Sequence, residues 1–411
     1  MDITKSLSKK QLQILAFPNS NYDSLICDGS VRSGKTSIMS VAFVIWAMRD
    51  FDKRNFAICS KTVGTALKNV IKPLLAMTYM QKKFNIKSRS GGSEITIQGF
   101  GHTNTFYCYG GQDARSYMLI QGITLAGVLL DEVALMPRSF VEQAIARCSV
   151  DGRKLWFNCN PESQYHWFYQ EWILNCEAHN ALHLHFVMDD NPSLSEKIKK
   201  DYESMFHGVF YDRYIRGLWV MAEGLVYDMF DKDKHVISEL PELHHEYYVS
   251  TDFGIQNATV FLLWGKSKDT NDWIVCNEWY YSGTENKKLK ATSELADGLD
   301  ALVGDRYIKS VIIDPSASAL KVELRKHGYR VREADNDVIN GISDVSNLLV
   351  REKLHILKKC THTINEFGVY AWDLKAAERG IDAPIKKHDH AMDALRYLVR
   401  TLKLVKKDKR R

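Results

Sequence analysis

The sequence predicts an α/β protein of two successive domains, and three observations predict it. Gly29-Ser30-Val31-Arg32-Ser33-Gly34-Lys35-Thr36 fits the phosphate-loop pattern G-x-x-x-x-G-K-[ST]. Further on, the apolar run Gly127-Val128-Leu129-Leu130 ends on Asp131-Glu132. From residue 245 onward, three strand-like segments precede alternating helical and extended ones, and acids close two of the strands.

Composition is compatible with this. At 411 residues the chain can bury two sizeable cores, and 45% hydrophobic content excludes a chain too polar to do so. No stretch approaches the roughly twenty apolar residues of a membrane span. Met1 to Ser6 lacks the apolar core of a signal peptide. Eight cysteines without C-x-x-C pairing argue against a disulfide framework or structural zinc, so a reducing cytoplasm is expected. The net charge of +5 is modest; the basic end Lys403 to Arg411 reads either as a phosphate contact or as a solvated terminus.

In the loop, the glycines let backbone amides turn around a phosphate chain. Lys35 can reach the β- and γ-phosphates, and the Thr36 hydroxyl can ligate Mg²⁺. Leu25-Ile26-Cys27 supplies a strand before it, and Ile38, Ala42, Ile45 and Trp46 recur at helical spacing after it. That places a helix N-terminus against the phosphates. The candidate nucleotide contacts are therefore Gly29, Ser30, Ser33, Gly34, Lys35 and Thr36. Gln11, a short way upstream, reads either as an adenine-pairing amide or as a surface residue of a short first helix.

Phe56 to Ser60 reads as a second buried strand and Thr62 to Met77 as an amphipathic helix. Glu94 to Ile97 and Thr105 to Cys108 suggest an antiparallel addition to a parallel sheet. Opposite the loop, Asp131 would hold the Mg²⁺ shell and Glu132 would polarise an attacking water. Leu155-Trp156-Phe157 runs into Asn158-Cys159-Asn160-Pro161, where Asn160 is the candidate γ-phosphate sensor with Asn158 behind it. His183 and His185 share one face of a strand and are read as structural. Periodicity fades from Tyr211 to Trp219 and Ala222 to Leu225, and the chain leads through Asp231-Lys232-Asp233-Lys234 to Pro241, which marks a domain boundary.

In the second half, Tyr247 to Asp252, Thr259 to Trp264 and Trp273 to Tyr280 form a meander. An amphipathic helix around Leu289, Leu295, Leu299 and Leu302 leads to Ser310 to Ile313, which ends on Asp314. A helix through Leu320 and Leu324 and the strand Tyr329 to Val331 follow; His388 to Asp393 opens a last helix. This is the element order of the ribonuclease-H fold. Carboxylates converging from distant positions can hold two divalent cations about 4 Å apart around a phosphodiester. Asp252 and Asp314 supply the strand positions, and Asp393 the helix position with His390 one turn before it. Asp389 is also one turn from Asp393, so its partner is open between the two. Glu278 ends the third strand and could join them, though a structural or solvated role is expected.

Together these motifs resemble the large subunit of tailed-bacteriophage terminases. The resemblance rests on Gly29 to Thr36, Gly127 to Glu132, Asn158 to Pro161, Asp252, Asp314 and His390-x-x-Asp393, and it covers nearly the whole chain. It implies a RecA/ASCE-like P-loop ATPase domain at 1–225, a linker at 226–244 and a ribonuclease-H-like endonuclease domain at 245–411. The implied activity is ATP-driven translocation of viral double-stranded DNA into a procapsid, with endonucleolytic cutting of concatemers. It further implies ATP with Mg²⁺ at the first site and two Mg²⁺ or Mn²⁺ ions at the second. Implied partners are double-stranded DNA, the portal protein and a small terminase subunit. The resemblance also implies a homo-oligomeric ring, generally pentameric, acting in the host cytoplasm and transiently at the portal, with no membrane.

By the same resemblance Gln11 sits near adenine and Asn160 couples hydrolysis to movement. Many relatives carry an arginine before a glycine upstream of the paired acids; here that place is Gln121-Gly122. Arg32, Arg115 or Arg138 could supply the transition-state cation instead. Lys321, Arg325, Lys326, Lys386 and Lys387 are candidate phosphate contacts. Two rival readings differ in class: a nucleic-acid remodelling ATPase whose second domain only binds, and a nuclease that its ATPase merely switches.

Overall fold

A computed structural model describes residues 7–254, 258–284 and 286–405. The basic run beyond Val405 and the terminal Met1 to Ser6 lie outside the described residues. The chain forms two compact units, residues 1–221 with 378–381, and 222–377 with 382–411.

The first unit is built on eight strands: β1 (Ser24–Gly29), β2 (Asn55–Ser60), β3 (Asn85–Arg89), β4 (Glu94–Gly99), β5 (His102–Gly110), β6 (Gly127–Asp131), β7 (Lys154–Asn158) and β8 (Ala181–Phe186). Their order is β3-β4-β5-β2-β6-β7-β1-β8. From β5 to β8 every pairing is parallel; β3, β4 and β5 pair antiparallel. The central strands β1, β6 and β7 are buried along their whole length, because a parallel sheet is covered on both faces. One face carries Phe43 and Trp46 of helix Lys35–Asp50, edge-on to Phe56 and beside Trp156. The other carries Ile26, Leu130, Phe157 and Phe168. The antiparallel addition has one strand more than expected. β3 escapes the apolar pattern because it is the sheet edge and mostly exposed. The helix expected from Thr62 runs from Val63 to Leu75, with a widened π turn at Leu67–Ile71 just ahead of Pro73.

The second unit has seven strands: β9 (Val236–Ile237), β10 (Tyr247–Asp252), β11 (Ala258–Lys266), β12 (Trp273–Ser282), β13 (Ile308–Ile313), β14 (Val331–Glu333) and β15 (Leu354–Leu357). Their order is β14-β13-β10-β11-β12-β15-β9. The meander β10-β11-β12 is antiparallel, while β13 joins β10 and β15 joins β12 in parallel. Helix His390–Leu402 packs on β10 and β11 and buries Leu395 and Leu398.

Two expectations are corrected here. The stretch 226–244 is no linker: Val226 and Tyr227 are buried, Tyr227 stacks on Tyr370 at 5.7 Å, and β9 closes the sheet beside β15. Its apolar residues are too sparse to show a period, yet Val226, Tyr227 and Leu243 are buried. Leu289 lies outside the amphipathic helix, which starts at Thr292, and it stays exposed. Among the described residues no helix is long and apolar enough to cross a membrane.

Candidate active sites

The phosphate-loop site sits at the carboxyl ends of β1, β6 and β7. Gly29 closes β1 at φ +120°, and a Cβ there would lie 1.9 Å from the Phe186 carbonyl oxygen, so only glycine fits. Gly34, at φ 86°, caps helix Lys35–Asp50. The first intrahelical bond runs from the Ile38 amide to the Gly34 carbonyl, so the amides of Lys35 to Ser37 have no intrahelical acceptor. The Lys35 ammonium is buried and donates to the carbonyls of Gly29 (3.0 Å) and Ser30 (2.7 Å), to Ser33 Oγ (3.3 Å) and to Asn160 Oδ1 (3.3 Å). Burial pulls its pKa down, against the attraction of Glu132.

The acids complete the constellation. Thr36 Oγ1 donates to Asp131 Oδ1 (3.2 Å), and Ser60 Oγ and Asn158 Nδ2 also donate to this carboxylate (3.2 and 3.0 Å). Glu132 adopts φ 57° and receives both the amide and the side-chain Nδ2 of Asn160, at 3.1 and 3.0 Å. Burial, reinforced by Asp131, pushes the Glu132 carboxyl up to about 7. Asn160 thus bonds the loop lysine and the second acid at once. Asn158 braces both acids, since its Oδ1 accepts from the Glu132 amide at 3.1 Å.

Directly beneath the loop lies a group the sequence reading did not foresee. Asp28, the residue before Gly29, is buried; its Oδ1 pairs with His183 Nε2 (2.9 Å) and His185 Nδ1 (3.1 Å), and its Oδ2 accepts from Trp219 Nε1 (2.7 Å). Burial opposes the charge, but hydrogen bonds from both histidines outweigh it and hold the carboxyl well below its ordinary range. The two histidines are structural, as expected; their shared partner emerges only when β8 pairs with β1.

Gln11 is buried, and its Oε1 caps its own helix by accepting from the Ser8 amide at 3.0 Å. Its Nε2 lies beside Gly34, 2.9 Å from where a Cβ would stand. Arg32 is exposed at φ 60°; its Nε donates to Tyr202 Oη at 2.5 Å and its guanidinium lies over that ring. Arg138 is tied to Glu142 and Glu171 at 2.7 and 2.6 Å. Arg115 stands exposed on the turn Ala114–Ile120.

In the second unit Asp252 ends β10 and Asp314 follows β13, and the parallel register Thr251↔Ile313 makes the two acids neighbours. Helix His390–Leu402 brings His390, Asp393 and Tyr397 to them from one face. His390 Nδ1 lies 2.8 Å from Asp252 Oδ2, and Tyr397 Oη donates to Asp314 Oδ2 at 3.0 Å. Asp393 Oδ1 accepts from Arg396 at 2.9 Å, while its Oδ2 pairs with Lys386 at 3.0 Å. Lys386 also reaches Asp389 at 3.2 Å, so His390 faces Asp252 and Asp389 faces a lysine. Burial raises the Asp252 carboxyl; Ser316, Tyr397 and Asn336 outweigh burial and lower that of Asp314.

Tyr397, Arg396 and Glu366 were missed. Tyr397 had a signal, one helical turn beyond Asp393. Glu366 had none: its buried Oε2 accepts from the Ala391 and Met392 amides at 2.7 and 3.2 Å, and burial lifts it to about 7. Glu278 is structural as expected, accepting from the His362 and Thr363 amides. Among the expected phosphate contacts, Lys321 is buried against Glu333, Lys326 pairs with Glu323, and Lys386 is tied to the two aspartates.

Comparison with known proteins agrees with this geometry. The family described as phage terminase large subunit matches residues 21–214. The large terminase of a thermophilic bacteriophage is 48% identical, with a TM-score of 0.91, over 96% of this chain and 99% of that one. The same terminase solved with ADP gives 47% and 0.90, and with ATP-γ-S 47% and 0.89, at the same coverage. No curated protein matches.

Proposed function

The chain belongs to the phage terminase large-subunit family, and from that premise we propose how its two sites divide the work. A large terminase is a DNA-packaging ATPase that also carries a nuclease domain. The remodelling ATPase with a merely binding second domain is not favoured. The first site hydrolyses ATP to drive double-stranded DNA into a procapsid. One observation carries this assignment: Asn160 bridges Lys35 and Glu132, the loop cation and the second acid.

The donor set fits Mg²⁺, which prefers hard oxygens: Thr36 Oγ1 and the Asp131 carboxylate stand 3.2 Å apart. Bound there, the ion supplies charge neutralisation for the β- and γ-phosphates. The chain's own groups do the rest. Gly29, Ser30, Ser33, Gly34, Lys35 and Thr36 cradle the phosphates, and Lys35 trades its carbonyl partners for phosphate oxygens. Glu132 holds the attacking water, and Asn160 is pulled between lysine and glutamate as the γ-phosphate comes and goes. Gln11 offers its Nε2 to the base. Arg32, once released from Tyr202, is the transition-state cation.

The second site cuts concatemeric DNA. Asp252, Asp314 and Asp393 with His390 form a donor set of carboxylate oxygens and one imidazole, which fits Mg²⁺ or Mn²⁺. These residues would hold two such ions, which would supply charge stabilisation at a phosphodiester. His390 keeps Asp252 oriented, Tyr397 does the same for Asp314, and Arg396 anchors Asp393. The portal protein, a small terminase subunit and a ring of identical chains complete the motor at the portal in the host cytoplasm.

One paired experiment tests the division: ATP turnover and Mn²⁺-dependent plasmid linearisation by wild type and three variants. Lys35→Ala should lose turnover and keep cutting, Asp252→Ala the reverse, and Arg32→Ala should slow turnover while ATP still binds. Full turnover in Lys35→Ala rejects the motor site; undiminished cutting by Asp252→Ala rejects the nuclease site. Unchanged turnover in Arg32→Ala rejects the arginine's role.

A further inference from the structure

Residues 53–93 contain nine Lys or Arg and no Asp or Glu. Their +9 exceeds the +5 of the whole chain, so the remainder is net −4. The positive excess of this protein therefore sits in one tenth of its length, inside the first unit. Six of these cations, Lys68, Lys72, Lys82, Lys83, Lys87 and Arg89, are exposed, and none makes a side-chain hydrogen bond or ion pair among the described residues. That differs from the second-unit lysines, several of which are neutralised by acids of their own chain.

The fold gathers these charges. Lys68 and Lys72 lie one turn apart across the π turn of helix Val63–Leu75. Lys82 and Lys83 end helix Thr78–Lys83, which runs straight into β3. Lys87 and Arg89 alternate along β3 and so share a face of the sheet edge. The turn Ser90–Gly92 closes the patch, because a Cβ on Gly92 would touch Leu67 at 3.1 Å, next to Lys68. The nearest acid in register is Glu94, the cross-strand partner of Arg89. Exposed aromatic rings, Tyr79 and Phe100, flank Phe84 beside it.

We propose that this surface, helix Val63–Leu75 with helix Thr78–Lys83 and the β3 edge, is where the first unit grips the phosphate backbone of double-stranded DNA. The inference rests on the packaging reading above and locates that reading's substrate. A motor must hold DNA without reading its sequence, and flexible lysines aimed at phosphates do this through counterion release. The surface is also joined to the nucleotide site by a short path. Ser60, at the end of β2, donates to Asp131 at 3.2 Å; two residues later Thr62 caps helix Val63–Leu75 through the Thr65 amide. A change in the Asp131 shell therefore reaches the base of the helix that carries Lys68 and Lys72.

The test is fluorescence anisotropy of the full-length chain with a labelled mixed-sequence duplex of roughly thirty base pairs, titrated across salt. Lys68→Gln/Lys72→Gln/Lys87→Gln is compared with wild type, and its DNA-free ATP turnover and melting curve verify folding. The expected result is at least about a tenfold weaker affinity, and a log–log salt slope shallower by about two to three. A variant that binds DNA with wild-type affinity and slope overturns the assignment and points to an acidic protein partner, leaving the packaging reading intact. Wild type that fails to bind duplex at any salt overturns the packaging reading, and this surface with it.

Discussion

The two sites of this protein gather charge of opposite sign, and they are built in opposite ways. The phosphate-loop site recruits eight consecutive residues, two acids at the end of β6 and two asparagines at the end of the adjacent β7. Its central cation, Lys35, rests on neutral oxygens of Gly29, Ser30, Ser33 and Asn160. The carboxylate site draws on two strands and a helix far apart in sequence, and each acid already has its own donor: His390 for Asp252, Tyr397 for Asp314, Arg396 and Lys386 for Asp393. An anion can be bound by backbone amides, which carry partial charge without repelling one another. A pair of cations needs several full negative charges close together, and these must be held by separate elements with compensating partners. Damage to the first site should thus act through geometry and a few polar groups; damage to the second should act through charge.

The sharpest way to break the contrast is Glu132→Gln. It removes the carboxylate proposed to orient the attacking water but keeps a side chain that can bond Asn160, so ATP turnover should fall by about a hundredfold to ten-thousandfold. ADP binding, measured calorimetrically, should remain, and cutting in Mn²⁺ should be untouched. Turnover within a few-fold of wild type would show that another group orients the water.

A smaller effect is expected at the base of the loop. Asp28→Asn leaves two histidines and Trp219 without their common anion and should destabilise the first unit by about 3 kcal/mol. The sign follows from the lowered carboxyl. Its contribution is fully present above the ordinary carboxylate pKa of about 4 and is lost as pH falls below it. The gap in melting temperature between wild type and variant should therefore be constant at neutral pH and shrink below about pH 4. A gap that persists undiminished at pH 3 would mean that the carboxylate charge is not what holds this corner.

The smallest effect belongs to the second site. Tyr397→Phe deletes one hydrogen bond to Asp314, of about 1 kcal/mol, so plasmid cutting should slow by about fivefold while ATP turnover is unchanged. On the proposed reading Tyr397 positions Asp314 and does not touch substrate, so raising Mn²⁺ should recover part of the loss. If excess Mn²⁺ recovers nothing, Tyr397 acts on the substrate rather than on Asp314.

The sequence by itself determined the loop, the acidic strand end that faces it, and the order of elements that brings Asp252, Asp314 and Asp393 together. The first two are local: the loop lies within one run of eight residues, and an acid ending an apolar strand is visible within six; the third is legible as the order of strands and helices along the chain. Alternation placed His183 and His185 on one face but could not say what they faced. Asp28 became their partner, with Trp219 donating to its other oxygen, only through the parallel pairing of β1 with β8 and the return of the chain past the loop. Glu366 and Arg396 were hidden for the same reason, since a buried charge is defined by what packs around it. The tertiary structure also decided that residues 226–244 close the second sheet rather than link two domains. Short apolar pieces carry no period of their own, and only the neighbours that bury them reveal their place.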